Sequence, residues 1–314
     1  MILSHDVYSY VDYARLGVLH GLDPYAHPPA AAAGDPAFAE VWWPWATSAY
    51  GPLFTLGTYP LAWLPLDAAV AVLKGVAALS VLGLAALVAK AAPGRGVDPA
   101  RAAAFVALNP LVLVHVVGGA HNDGLAMLLV VAGVAAVLSA RPFGGGAWLA
   151  AAFAVKAPAA FAFPFALLGA RPRVRFLAGA LLAWAAIAAA ATLAFGWDWL
   201  GAFGLAGENQ GRTSYMSIPA LASRATGLDP TAVRVAALSI YGAAVAGLLA
   251  WTWRGGDWVR AAAWAGFGLL LATAWLLPWY LVWALPLAAL SRDRVLQLGV
   301  LGLTAYQLGA RIPL

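Results

Sequence analysis

Residues 68–89 read AAVAVLKGVAALSVLGLAALVA, a run with one charge, Lys74, and no proline. A helix that crosses a bilayer needs about 20 mostly apolar residues, because no water reaches that depth to satisfy an open backbone. The run meets that length, and Asp67 on one side and Lys90 and Arg95 on the other bracket it. It reads as a transmembrane helix, and the rest of the chain has the same character. Of 314 residues, 63% are hydrophobic and only 10% are charged, with a mean hydropathy of +0.82. Soluble domains carry about 25% charge, so this much apolar surface has to be solvated by lipid.

Working outward, further runs of spanning character fall at 102–118, 124–140, 176–195, 231–253, 261–277 and 295–310. Three shorter stretches, 52–65, 146–169 and 279–290, carry internal Pro, Gly or charge and predict short, broken or re-entrant helices. The expected fold is all-α: a multi-pass membrane protein with about seven full transmembrane helices and several short ones, forming a single domain over 1–314. The net charge is +5. Its basic residues punctuate apolar runs and form no stripe, so membrane lipid is the expected partner and nucleic acid is not. The chain has no cysteine, which excludes disulfides, thiolate metal sites and cysteine nucleophiles.

Orientation follows from Lys and Arg, which gather on the cytoplasmic side of spans. With Lys90, Arg95 and Arg101 inside, threading returns Arg141, Arg171, Arg173, Arg175, Arg254, Arg260, Arg292 and Arg294 to that side, eleven of the eighteen basic residues. The threading requires 146–169 to enter and leave by one face, with a break at Val155-Lys156-Ala157-Pro158, and 279–290 to turn back after Pro278. Three outer regions remain: residues 1–50, the 118–123 turn, and a loop over 196–230 with a short amphipathic helix. Met1-Ile2-Leu3 is neither a signal peptide nor a span, so the reading expects a transmembrane helix upstream of the first outer region.

The polar chemistry concentrates in those outer regions. Ser4-His5-Asp6-Val7-Tyr8-Ser9-Tyr10 is acidic and aromatic, and the pattern continues through Gly21-Leu22-Asp23-Pro24-Tyr25 to Trp42-Trp43-Pro44-Trp45 and Tyr50-Gly51-Pro52. A carboxylate can take a proton from a hydroxyl or hold a divalent ion, and flat rings suit sugars; an interfacial aromatic belt explains the same composition. Gly118-Gly119-Ala120-His121-Asn122-Asp123 is a tight turn that sets ligand, amide and acid side by side, although Asn or Asp there also caps a helix. Lys156 lies amid apolar residues, where a charge is costly and usually marks a partner or a pathway, and an ammonium suits a phosphate. Lys74 invites the same question. Arg212, in the cluster Glu208-Asn209-Gln210-Gly211-Arg212, could pair with an anionic leaving group or simply be solvated. Trp275 to Trp283, around Pro278, reads as aromatic packing that could also line an acceptor groove. No Walker loop, HExxH, GxSxG or dinucleotide fingerprint is present.

Taken in order, Ser4-His5-Asp6-Val7-Tyr8-Ser9-Tyr10, Gly21-Leu22-Asp23-Pro24-Tyr25, Tyr50-Gly51-Pro52, Asn109-Pro110-Leu111, the 118–123 turn, Lys156 with Pro158, and Pro278-Trp279-Tyr280 resemble the polyprenol-phosphate-mannose-dependent α-1,6-mannosyltransferases. These are membrane glycosyltransferases of the GT-C type. The resemblance implies mannose transfer from a polyprenyl-phosphate donor to a glycan or lipoglycan acceptor, at the non-cytoplasmic face of the plasma membrane, with inversion. It makes Asp6 the base and gives substrate contacts to His121, Asn122, Asp123, Lys156, Arg212, Tyr8, Tyr10 and Tyr25. It requires no metal, although Asp6 and Asp123 could share a divalent cation. Arabinosyl or glucosyl transfer stays open on residues alone, as do a non-catalytic relative and a secondary transporter. The transporter would call for paired interruptions in two related halves.

Overall fold

A computed structural model describes residues 4–208 and 211–310. Met1, Ile2, Leu3, Asn209 and Gln210 lie outside them. Among the described residues the regular elements are all helical. In chain order they are α1 (Asp6–Leu19), α2 (Pro52–Thr58), α3 (Leu66–Ala91), α4 (Pro99–Ala107), α5 (Asp123–Leu138), α6 (Pro142–Val155), α7 (Phe163–Gly169), α8 (Arg173–Phe195), α9 (Gly201–Glu208), α10 (Ile218–Thr226), α11 (Pro230–Trp253), α12 (Trp258–Ala272), α13 (Leu285–Leu290) and α14 (Arg294–Gly309). Local chemistry sets the starts. The side chains of Asp98, Ser217, Asp229, Asp257 and Asp293 accept the orphan N–H groups of α4, α10, α11, α12 and α14. The protein is an all-α, polytopic membrane protein.

Helices α3, α8 and α11 are long and apolar enough to cross a membrane, at 26, 23 and 24 residues. The other expected spans are shorter. Helices α5, α12 and α14 have 16, 15 and 16 residues. α5 stops where Ala140 turns left-handed (φ 56°), and α12 stops ahead of Pro278. The run 102–118 is not one helix. Pro110 has no N–H to give and restrains Asn109 before it, so α4 ends at Ala107 and a π-helical segment covers Val112–Val117. Asn109 repairs the break: its Oδ1 accepts from Leu111 N, and its Nδ2 donates to Thr304 Oγ1 on α14, both at 3.0 Å.

The expected breaks at Lys156 and Pro278 are present. Helix α6 ends at Val155, a 3₁₀ turn covers Ala157–Ala162 and α7 follows; likewise a 3₁₀ turn over Pro278–Trp283 leads into α13. The first outer region is more ordered than a loop. Helix α1 buries Val7, Tyr10, Val11 and Ala14, a helical period that the aromatic and acidic composition obscures in the sequence. It packs on Phe54 of α2 and on Ala69, Val70 and Leu73 at the start of α3.

The two ends of the bundle differ in charge. Arg95 pairs with Asp257, Arg260 with Asp293 at 2.7 Å, and Arg173 lies over the Trp253 ring at 5.0 Å. The loops after α3, α7, α11 and α13 therefore share one end. Asp6, Asp123 and Lys156 lie at the other, because α3 runs from Ala69 and Val70 beside α1 to Lys90, about 31 Å of rise.

Between the ends, α6 crosses α8 at backbone contact. A Cβ on Gly146 would lie 1.9 Å from Phe176 O, and one on Gly179 would lie 1.9 Å from Phe143 O. Small residues at such crossings let membrane helices approach closely. Gly146→Ala and Gly179→Ala are each expected to lower stability by about 1–3 kcal/mol, seen as a lower Tm in detergent. Gly242→Ala on α11, where nothing lies within 4 Å, should leave Tm unchanged or slightly raised.

Candidate active site

The site is built where three chain breaks meet. The first is the turn before α5. Ala120 is left-handed (φ 57°), and Gly119 has no room for a side chain, since a Cβ would stand 2.5 Å from His115 O. This tight turn delivers Asn122 and Asp123, both buried. The second is the end of α6. Pro158 has no N–H with which to continue the α6 ladder, and Lys156 is extended (φ −156°, ψ 122°). The third is the 3₁₀ turn at 278–283, which carries Trp279, Tyr280 and Trp283.

These breaks converge on the Asp123 carboxylate, which has no solvent exposure. Lys156 Nζ donates to its Oδ2 at 2.6 Å and to Asn122 Oδ1 at 3.2 Å, while Trp283 Nε1 donates to its Oδ1 at 2.7 Å. Tyr280 stacks on Trp283 at 4.0 Å, and Lys156 Nζ sits 5.6 Å from the Tyr280 ring centre. Gly51 closes the assembly from the first outer region. Its N–H donates to Val155 O at 3.1 Å, and a Cβ there would lie 2.1 Å from Ala154 O. Glycine is what lets Tyr50-Gly51-Pro52 lie against the end of α6.

Asp6, the first residue of α1, faces this assembly across a cavity of about 410 Å³. The cavity is lined by Asp6, Ser9, Lys156 and Arg212 and by the rings of Trp42, Trp43, Tyr50, Trp275, Trp279, Tyr280 and Trp283. The Asp6 side chain keeps 23% exposure, which opens into that aromatic-walled space. Burial raises its carboxyl to about 6; the Lys156 charge opposes the rise and the Asp123 charge adds to it. The carboxyl is therefore poised close to neutrality.

His121 stacks on Trp279 at 3.7 Å, and its Nδ1 lies 3.5 Å from Asp6 Oδ2. Burial, with Lys156 and His115 adding, holds the imidazole well below its usual range, so at pH 7 the ring is neutral and the contact is no ion pair. Both His121 ring nitrogens and Asn122 Nδ2 have no hydrogen-bond partner among the described residues. Buried polar atoms are usually satisfied, so spare polar capacity sits directly behind the cavity wall.

Arg212 lies over two rings, Trp43 at 4.9 Å and Trp275 at 5.8 Å. A bond from Ser214 N to Ala274 O (2.8 Å) ties its loop to the segment after α12. No carboxylate among the described residues pairs with Arg212.

The structure thus brings Asp6, Lys156 and Arg212 to one cavity, with His121, Asn122 and Asp123 behind it. It does not bring the three tyrosines or Lys74 to the wall. Tyr10 is buried edge-on against Tyr50 and Phe54. Tyr8 packs beside the α1–α3 cluster. The Tyr25 hydroxyl is 2.9 Å from both Tyr50 O and Thr55 Oγ1, and its ring meets Phe195. A second buried acid on α1, Asp12, is raised to about 7 by burial and Asp35, yet it sits with Arg15, His20 and Asp35, away from the cavity.

Trp43 belongs to the aromatic run 42–45, and Trp275, Trp279 and Trp283 to the stretch around Pro278 that could line an acceptor groove; the structure places all four on this cavity. Trp275, Trp279 and Trp283 recur at intervals of four around Pro278, a pattern that signals one shared face. A divalent ion shared by Asp6 and Asp123 does not fit, because Lys156 and Trp283 take both Asp123 oxygens. Among the described residues no group of three or more His, Asp or Glu side chains could hold a metal.

Fold and site together define a polytopic membrane protein with one acidic, aromatic-walled cavity at the end of its helix bundle away from the basic loops. The family model described as "Alpha-(1->6)-mannopyranosyltransferase, N-terminal domain" matches residues 2–171. The chain belongs to that family. It is 32% identical to alpha-(1->6)-mannopyranosyltransferase A of Mycobacterium tuberculosis, over 97% of this chain and 65% of that relative. It is 33% identical to the protein of the same name from Corynebacterium glutamicum, over 52% of this chain and 34% of the relative. The chain therefore spans less than two thirds of the length of these curated relatives. No solved structure matches it.

Removing one member of a buried pair leaves the other charge uncompensated. Lys156→Met is expected to cost about 3–5 kcal/mol, whereas the double variant Lys156→Met/Asp123→Leu should regain most of that loss. Unfolding of the three proteins in detergent checks this. Equal destabilisation by the single and double changes would show that the pair is not the organising contact.

Proposed function

We propose that this chain transfers mannose from a polyprenyl-phosphate-mannose donor to a hydroxyl of a glycan or lipoglycan acceptor, forming an α-1,6 linkage at the non-cytoplasmic face of the plasma membrane. The observation that carries this is the Asp6 carboxyl, raised to about 6 and facing two cations across an aromatic-walled cavity. Family membership supplies the sugar and the linkage.

In the proposed step the acceptor oxygen attacks the anomeric carbon as Asp6 takes its proton, and the bond from that carbon to the phosphate oxygen breaks. Polyprenyl phosphate leaves with the electron pair. A β-linked donor gives an α-mannoside by inversion in one displacement. Asp6 suits the role because a base poised near the working pH is both ionised and basic enough to accept a proton.

The cations divide by geometry. Lys156 is committed to Asp123, so its charge is largely spent on holding the site and tuning Asp6. Arg212, held over the Trp43 and Trp275 rings, is the guanidinium left to meet a phosphate, where planar donors bind two oxygens at once. The neutral His121 ring and Asn122 lie behind the wall and back the Trp279 ring and Lys156 beside Asp6. The rings of Trp42, Trp279 and Tyr280 supply faces on which sugars stack.

Membranes carrying the chain are expected to transfer labelled mannose from polyprenyl-phosphomannose to a short α-mannoside. Asp6→Asn should cut the rate about 10²–10⁴-fold, and Arg212→Gln should weaken donor use while leaving the pH dependence in place. Because a raised pKa keeps the carboxyl protonated at low pH, activity should climb as pH rises through about 6. Full transfer at pH 5, or by Asp6→Asn, would exclude Asp6 as the base. No transfer by inserted, folded protein would exclude the mannosyl reading.

A further inference from the structure

At the opposite end of the bundle a second cavity of about 240 Å³ lies between the start of α4 and the start of α14. Arg101, Arg292 and Arg294 all line it. The arginines of this end differ in their partners: Arg171 and Arg173 donate to the Leu168 carbonyl, and Arg173 also lies over Trp253. Arg95 and Arg260 are matched by Asp257 and Asp293. The three that face the cavity have no carboxylate within ion-pair distance among the described residues. Asp98, which also lines it, turns its Oδ1 to the Arg101 backbone N–H at 2.7 Å. The positive-inside tendency explains arginines near this end. It does not explain three of them turned into one cavity against their mutual repulsion.

The backbone is strained at the same place. Arg292 is left-handed (φ 58°), a conformation that favours glycine. Its guanidinium lies against Gly96, where a Cβ would stand 3.3 Å from Nη1, and Gly96 is itself left-handed (φ 64°). Strain kept in a cationic cavity points to use. The surroundings indicate where the ligand comes from. Val295 and Leu298, just after Arg294 on α14, are exposed at 69% and 68%, as a lipid-facing helix requires, and Phe105 gives the cavity an apolar wall. Arg294 thus sits at the edge of the exposed apolar surface of α14.

We propose that this cavity binds the phosphate head group of an anionic membrane lipid, with Arg101, Arg292 and Arg294 around the phosphate and the acyl chains running along α14. Its volume equals about eight waters, enough for a head group and too little for a whole lipid. The site is separate from the proposed transfer reaction and does not depend on it.

The test uses the full chain in neutral detergent, titrated with phosphatidylglycerol, phosphatidylcholine or inorganic phosphate, and read by Tm and by lipid retained in native mass spectra. Phosphatidylglycerol is expected to raise Tm saturably and to be retained, and the other two are not. Arg292→Gly removes a charge and also relieves the strained φ. It should keep or raise the lipid-free Tm while binding about fivefold more weakly, and Arg101→Gln/Arg294→Gln should bind about 25-fold more weakly. Arg141→Gln/Arg175→Gln, exposed and outside the cavity, should bind as the parent does. Three results would overturn the proposal: no effect of phosphatidylglycerol on the parent protein, equal weakening by the control pair, or stabilisation by inorganic phosphate matching that of the lipid.

Discussion

The acidic end of this helix bundle depends on one ion pair, Lys156 with Asp123, made where water is nearly excluded. Neither charge is tolerable there alone, so the pair forces its two segments to meet: the turn before α5 and the broken end of α6. Trp283 binds the second carboxylate oxygen and so brings in a third segment, the 3₁₀ turn after Pro278. Gly51 locks the segment between α1 and α2 to the same α6 end. Four stretches distant in sequence are thereby fixed around one anion. Each departs from regular helix there, which membrane proteins allow only where protein covers the freed backbone.

This arrangement explains why Asp6 differs from an ordinary surface carboxylate. Its helix is seated on α2 and α3, and its side chain points into a space walled by rings. Burial works against its charge, Lys156 in favour of it, and Asp123 against it. The neutral His121 beside it, stacked on Trp279, adds no charge to the balance. Arg212 lies at the cavity over the Trp43 and Trp275 rings, with no carboxylate partner among the described residues. Arginines lie over rings at both ends, Arg212 over Trp43 and Trp275 and Arg173 over Trp253, and at the basic end three more gather around a cavity.

Much of this was legible in the sequence. Length and hydropathy placed α3, α8 and α11, and Pro158 and Pro278 located both breaks, because proline's missing N–H acts locally. Asp6, the 118–123 turn and Lys156 stood out because charge and polarity are costly in so apolar a chain. What was not legible was long-range. Asn109 gave no hint that it would bridge to Thr304 on α14, whereas the end of α4 carried a local mark, Pro110, that reading 102–118 as one span left unused. Helix α1 hid its period beneath tyrosines and acids. Tyr8, Tyr10 and Tyr25 have the composition of a sugar site, yet the side of a helix or loop on which a tyrosine falls depends on packing. For the same reason the stretch from Trp275 to Trp283 read equally as packing or as a groove wall, and the structure places Trp275, Trp279 and Trp283 on the cavity.

The most direct test of the account is the titration of Asp6 itself. Infrared spectra of the protein in nanodiscs, recorded from pH 4 to 8 and corrected by subtracting the Asp6→Asn protein, isolate its carboxyl band. The account predicts conversion from acid to carboxylate with a midpoint near 6. A midpoint near 4, that of a carboxyl in water, would mean that the cavity neither buries nor tunes Asp6, and would contradict the account.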